Sequence, residues 1–80
     1  MSYPIRGRRW RKNDVLLELL LIRKDDCSLG MTETYMSNKG YYRVQHPPAP
    51  MMCSYTYQYS LLCEEYDNKY GKGKQIMLRD

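Results

Sequence analysis

From Val15 to Ile22 the chain reads VLLELLLI, apolar at every position except Glu18. Leucine favours helix over strand, Asn13 is a good capping residue with an acid after it, and Arg23-Lys24 would complement the negative end of a helix dipole. The pattern predicts a helix over residues 14–25, placed centrally because it is apolar almost all round. A buried strand reads the same way, and periodicity does not separate the two. From Asp26 to Asn38 the polarity becomes mixed, and two readings stand side by side. In one, Gly30 breaks the chain and Thr32 caps a second helix with Glu33 in its first turn. In the other, Thr32–Met36 pairs with Tyr41–Val44 across Ser37-Asn38-Lys39-Gly40, alternating side chains about an Asn and Gly turn.

Pro47, Pro48 and Pro50 impose an extended connector, since each fixes its own backbone and restricts the residue before it. Beyond it Met52, Tyr55, Tyr59, Leu62 and Tyr66 recur at helical spacing, while Tyr55, Tyr57 and Tyr59 alternate as in a strand. With Ala49 and Pro50 as openers, a helix is expected over residues 51–61, giving way to extended chain. The remainder reads as a strand, a loop rich in Asp, Asn, Gly and Lys, and a second strand around Gln75 to Leu78, together a basic-tipped hairpin.

Eighty residues make one small domain with a modest core, so partner contacts or a homodimer would add to stability. Charge divides the chain. Residues 1–12 carry Arg6, Arg8, Arg9, Arg11 and Lys12 with no acid, and the last dozen carry Lys69, Lys72, Lys74 and Arg79 against Asp80, while the middle is mildly acidic. Residues 1–12 are expected to form a basic mobile arm and 13–80 the globular domain. Trp10 either docks back on the core or stacks on a ligand. The nine Tyr with no Phe carry the aromatic load, suited to a half-wet core rim, a dimer seam or a binding surface.

Three cysteines, Cys27, Cys53 and Cys63, and no apolar leader after the basic start point to buried free thiols in a reducing, cytoplasmic setting. The apolar run is far shorter than the ~20 residues of a membrane-spanning helix. Cys27, His46, Cys53 and Cys63 lack a close Cys pair, so no metal site is expected. Gly71-Lys72-Gly73-Lys74 has Gln75 where a phosphate loop needs Ser or Thr, and reads as a loop tip. No catalytic set or cofactor motif is present; His46 has no evident acid partner, and Asp25-Asp26 and Glu64-Glu65 suit solvated faces.

Leu29-Gly30-Met31-Thr32, followed by Met36, resembles the turn and buried apolar position of helix-turn-helix proteins. The closing segment, with Leu61-Leu62, Glu64-Glu65, a basic loop from Asp67 to Lys74 and Ile76 to Leu78, is similar to the wing of winged-helix regulators of the multiple-antibiotic-resistance type. The resemblance implies an α+β fold, a small helical domain with a C-terminal β-hairpin, and a role in transcription regulation. The alternative fold is a small β-rich barrel or sheet with one helix.

Lys and Arg neutralise phosphates with release of counterions, and basic arms enter minor grooves. The expectation is therefore a non-enzymatic DNA- or RNA-binding regulator. Arg6, Arg8, Arg9, Arg11 and Lys12 would hold phosphates or a minor groove, Lys72 and Lys74 a flanking backbone, and Thr32 to Lys39 or the segment after Pro50 would approach the bases. The rival is a protein-binding inhibitor or adaptor that docks a Tyr/Met-rich surface on its partner.

Overall fold

The computed structural model describes residues 2–46 and 52–78, with side chains placed for 55–76 in the second stretch. The proline connector, the Ala49-Pro50 helix opening and the Cys53 side chain lie outside the described residues. Along the chain run β1 (Tyr3–Lys12), β2 (Val15–Arg23), β3 (Leu29–Ser37), β4 (Gly40–His46), α1 (Met52–Tyr70) and β5 (Lys74–Leu78). The strands form one antiparallel sheet in the order β4-β3-β2-β1-β5. The chain thus leaves one edge after β4, crosses the sheet as α1, and returns on the opposite edge as β5.

This architecture replaces the winged helix and matches the alternative of a β-rich sheet with one helix. Residues 14–25 are not helical: β2 is an inner strand hydrogen-bonded to β1 and β3 along its length. Its two sets of alternate side chains both lose solvent. Leu17, Leu19 and Leu21 are buried, and Leu16, Leu20 and Ile22 are half-buried on the other face. A strand covered in this way reads as a continuous apolar run, and pairing on both sides overrides leucine's helical preference. Asn13 caps no helix; it takes φ 56° in the tight β1–β2 turn, a left-handed conformation that Asn tolerates.

The basic start is not an arm. Residues 3–12 are β1, an inner strand in which Ile5 and Trp10 are buried. Charge density does not prevent this, because long Arg stems lie along apolar surface while their heads reach water or a carboxylate. Leu29-Gly30-Met31-Thr32 is no helical turn but the start of β3, with Leu29 and Met31 in the core. The hairpin reading of residues 32–44 holds, in the register Met36↔Tyr41, Tyr35↔Tyr42, Thr34↔Arg43 and Glu33↔Val44.

The expected C-terminal wing is absent as well. Residues 61–66 continue α1, which ends at Tyr70 rather than residue 61, and β5 pairs with β1. Leu61, Leu62, Glu64 and Glu65 are good helix formers, so nothing stops the helix before Gly71. Gly71, at φ 89°, adopts the left-handed conformation of a helix C-cap and donates its N–H to Asp67 O at 3.0 Å.

α1 lies across β1, β2 and β3. The stripe it presents is largely tyrosine: Tyr55, Tyr59 and Cys63 are buried, and Leu62, Tyr66 and Tyr70 pack beside them. Against it sit Ile5, Trp10, Leu17, Leu19, Leu21, Leu29 and Met31. Leu19 is fully enclosed at the sheet centre. Leu19→Ala is expected to lower the free energy of urea unfolding by about 2–5 kcal/mol, most of what a domain this small possesses.

Candidate binding surfaces

Side-chain alternation gives the sheet two unlike faces. Arg6, Arg8, Trp10, Glu33, Tyr35, Tyr42, Val44 and His46 share the side on which α1 packs. Gly7, Arg9, Arg11, Leu16, Glu18, Leu20, Thr32, Thr34, Met36, Tyr41 and Arg43 share the other, where no described element packs. The pairing fixes transverse rows on this open face. One row runs Arg11, Leu16, Met36, Tyr41, and the next runs Lys74, Arg9, Glu18, Thr34, Arg43. Arg9 closes on its row neighbour, its Nη2 donating to Glu18 Oε2 at 2.7 Å. A third row brings Leu20 over Gly7, where a Cβ would lie 2.7 Å from Leu20 Cδ2 and 3.0 Å from Ile76 Cγ1.

Arg9, Arg11, Lys72 and Lys74 together line a concavity of about 400 Å³, with no carboxylate among its lining residues. Basic residues from both ends of the sequence meet here because β1 and β5 are sheet neighbours. The other expected contact residues are dispersed. Arg6 and Arg8 project to the helix side and line a separate cleft with Tyr59, Cys63 and Asp67. Lys12 is exposed at the β1–β2 turn, and Lys39 is exposed in the β3–β4 turn, its N–H on Ser37 Oγ. Thr32 is buried between Leu20 and Gln45 in its row, which closes it to a large ligand.

Asp67 shapes the cationic concavity from behind. Its Oδ1 accepts Trp10 Nε1–H and Gly73 N–H, each at 2.8 Å, and its Oδ2 accepts Arg8 Nη1–H at 3.1 Å. Together with the Gly71 cap, these bonds fix the short loop that carries Lys72. The loop fits only without a side chain at 73, because a Cβ there would stand 2.7 Å from Arg8 Cγ and closer still to the buried indole. Burial by itself would raise the Asp67 pKa, but the Gly73 and Trp10 donors and the Arg8 charge outweigh it and hold the carboxyl below the ordinary aspartate range.

The second surface lies where α1 leaves the sheet uncovered. Tyr35 stacks on Tyr42 with ring centroids 5.1 Å apart, and these two with Leu17, Glu33, Glu65, Tyr66, Lys69 and Tyr70 line a groove of about 500 Å³. Glu33 organises its floor, accepting Tyr66 O–H at 2.7 Å and lying 2.9 Å from His46 Nε2. Burial, and then the Glu33 carboxylate it serves, push the Tyr66 phenol above the ordinary tyrosine range, so it remains a donor. The groove continues past His46, Gln58, Leu61 and Leu62. The exposed large hydrophobics among the described residues are Met36, Tyr41, Tyr42, Val44, Tyr57 and Leu61. The first four lie on one hairpin.

Glu33, Asp67 and the Tyr35–Tyr42 stack were invisible in sequence reasoning as site-forming groups. His46 does have an acid partner, contrary to expectation; the hairpin register, which sets Glu33 opposite Val44 and two places from His46's partner Met31, is the signal that finds it. Cys63 is buried and Cys27 exposed, both unbridged. Burial pushes the Cys63 thiol up, opposite to the shift that activates a nucleophile. Among the described residues no cluster of three or more metal-ligating side chains occurs, and no helix is long and apolar enough to cross a membrane. No protein-family model, curated protein or solved structure matches the chain.

Two outcomes are expected from the Asp67 hub. Asp67→Asn keeps the shape but loses the charge on Arg8 and should cost about 1–3 kcal/mol near neutral pH. Because the native pKa is depressed, that stability is present above the ordinary aspartate value and is lost as pH falls through the native one. The gap between urea melts of the two proteins should therefore begin to close as pH falls below about 4 and keep closing as the native carboxyl is protonated. Gly73→Ala, measured the same way, should cost about 1–3 kcal/mol through overpacking on Trp10.

Proposed function

We propose that this chain is a non-enzymatic binding module that captures an extended segment of a partner protein along β4. The observation that carries the reading is the contrast between the two sheet edges. β5 is five residues long and its pairing with β1 is broken by a register shift. β4 pairs with β3 without a shift over seven residues, contains no proline, and is exposed at every position from 40 to 45. Edge strands are ordinarily blunted by shortness, bulges or proline, and a regular open edge is a template for strand addition.

The flanking side chains specify the occupant. On the helix side, Tyr42 and Val44 stand exposed at the mouth of the tyrosine groove and suit aromatic or β-branched residues of an incoming strand. On the other face Arg43 calls for an acidic residue opposite it. Fully overlapped pairing with a second copy would set Arg43 against Arg43, which is unfavourable, so the partner is a different sequence. Displayed random peptides selected on the protein should converge on an acid flanked by apolar residues at alternate positions. Bound peptide should slow amide hydrogen exchange along β4. Val44→Lys, a charge on the edge, should weaken the selected peptide tenfold or more while leaving the melting curve in place. Selected peptides that protect other amides and ignore Val44→Lys would sink the reading.

A second reading, contact with nucleic acid, is favoured by the meeting of Arg9, Arg11, Lys72 and Lys74 in one concavity. A cluster of cations without lining carboxylates is the feature that phosphate backbones select. It supports phosphate contact through the sheet, in place of the basic arm and reading helix expected from sequence.

A further inference from the structure

Resting on that second reading, we propose that the open sheet face binds single-stranded nucleic acid, with the β1–β5 concavity holding phosphates and the Arg11 row receiving bases. The row begins at a cation and passes through half-buried Leu16 to Met36 and Tyr41, which are 42% and 57% exposed. These side chains form an apolar and aromatic platform beside the phosphate-binding cations. Base faces are buried within a duplex and open in a single strand, so a stacking platform next to cations selects the single strand. The shape agrees, since no described helix or ribbon projects from this face to enter a major groove. Strands spaced about 4.8 Å apart set Lys74 and Arg43 roughly 19 Å from each other across the five-stranded row, with the Arg9–Glu18 ion pair and Thr34 between them. A nucleotide chain lying across the strands would meet cations at both margins of this row and set its bases on the neighbouring strip of Leu16, Met36 and Tyr41, with Glu18 neutralised by Arg9.

This site adjoins the one proposed for β4, because Tyr41 and Arg43 belong to that edge strand, but the main contacts of the two occupants lie apart. The concavity that would hold phosphates is at the opposite edge, and the Tyr42 and Val44 side chains point to the other face. Phospholipid headgroups offer similar charge, but the cations here surround a concavity and its apolar row is a single strip of side chains. That arrangement fits a narrow polyanion better than a membrane plane.

The test is fluorescence anisotropy with the full chain and a labelled oligothymidylate, the same oligonucleotide annealed to oligoadenylate, and phosphatidylserine–phosphatidylcholine vesicles in sedimentation. The single strand should bind at least tenfold more tightly than the duplex. Its log affinity should fall against log salt with a slope of about −2 to −3 between about 50 and 200 mM, as expected for three or four phosphates. Lys72→Gln/Lys74→Gln, both at exposed positions, should flatten that slope by about one unit or more, and Tyr41→Ala should weaken binding about tenfold while leaving the slope unchanged. Equal binding of duplex and single strand, with the salt slope intact, overturns the single-strand inference and leaves the nucleic-acid reading standing. No binding of either at low salt overturns both. Vesicle binding without oligonucleotide binding assigns the cations to a membrane and also overturns both.

Discussion

One carboxylate joins the two layers of this protein. Asp67 projects from the last turns of α1 and is the meeting point of a buried indole, an arginine from the same strand and the backbone of the loop that leads into β5. A helix stripe made mainly of tyrosine has broad contact area but little shape that distinguishes one register from the next. The directional bonds at Asp67 supply that choice, since only one placement of α1 lets Trp10, Arg8 and Gly73 be satisfied together. Arg8 Nε is nonetheless buried without a partner, so the junction is strong through one end of the guanidinium and not through the other. Tyr66 reinforces the arrangement one residue earlier, its ring edge-on to Trp10 and its hydroxyl on Glu33.

The same junction separates the faces of the sheet. Alternation along β1 sends Arg8 and Trp10 to Asp67 and leaves Arg9 and Arg11 on the opposite side. A sequence dense in arginine therefore does two different jobs according to residue parity. Arg8 fastens the helix through Asp67, while Arg9, paired with Glu18, and Arg11 face the other way beside Lys72 and Lys74. Toward β4 the helix backbone draws away from the sheet and meets it through side chains, Tyr55 lying edge-on to His46, and Tyr41 and Tyr42 stay exposed. The two candidate surfaces follow from one narrow helix placed off-centre on a wider sheet.

How much of this the sequence reveals depends on whether the signal is local. The β3–β4 hairpin is legible because its turn residues and its alternating side chains lie within a dozen positions of one another, and the strand around Gln75 to Leu78 is legible for similar reasons. The tyrosine spacing of α1 announces a helix, but its length is hidden once Leu61, Leu62, Glu64 and Glu65, good helix formers, are matched to a wing instead. β2 misleads because its open-face residues Leu16, Leu20 and Ile22, half-buried between neighbouring side chains of the sheet, are apolar like the core-facing set, which removes the alternation that identifies strands. β1 misleads because pairing with β2 and β5, a long-range event, decides the fate of residues whose composition suggests an arm. The resemblance to a wing fails for a related reason: its order of residue types is present, but β5 finds its partner near the start of the chain rather than across the preceding loop. The convergence of basic residues is visible as charge at both ends and becomes a site only through that same pairing.

The crossing from β4 to β5 also governs the order in which the molecule can be assembled. β1 through β4 are joined by tight turns and can zip up as they leave the ribosome, whereas the flank of β1 that receives β5 stays unpaired until residues 74–78 arrive. During that interval the exposed rung from Arg6 to Arg9 is a vacant template in a nascent chain, the kind of edge that seeds intermolecular pairing. Three arginines on that rung give it a mutual repulsion between copies. Arg9, which later lines the cationic concavity, would thus first act with Arg6 and Arg8 as a gatekeeper of biogenesis, keeping unfinished molecules apart until β5 closes the gap.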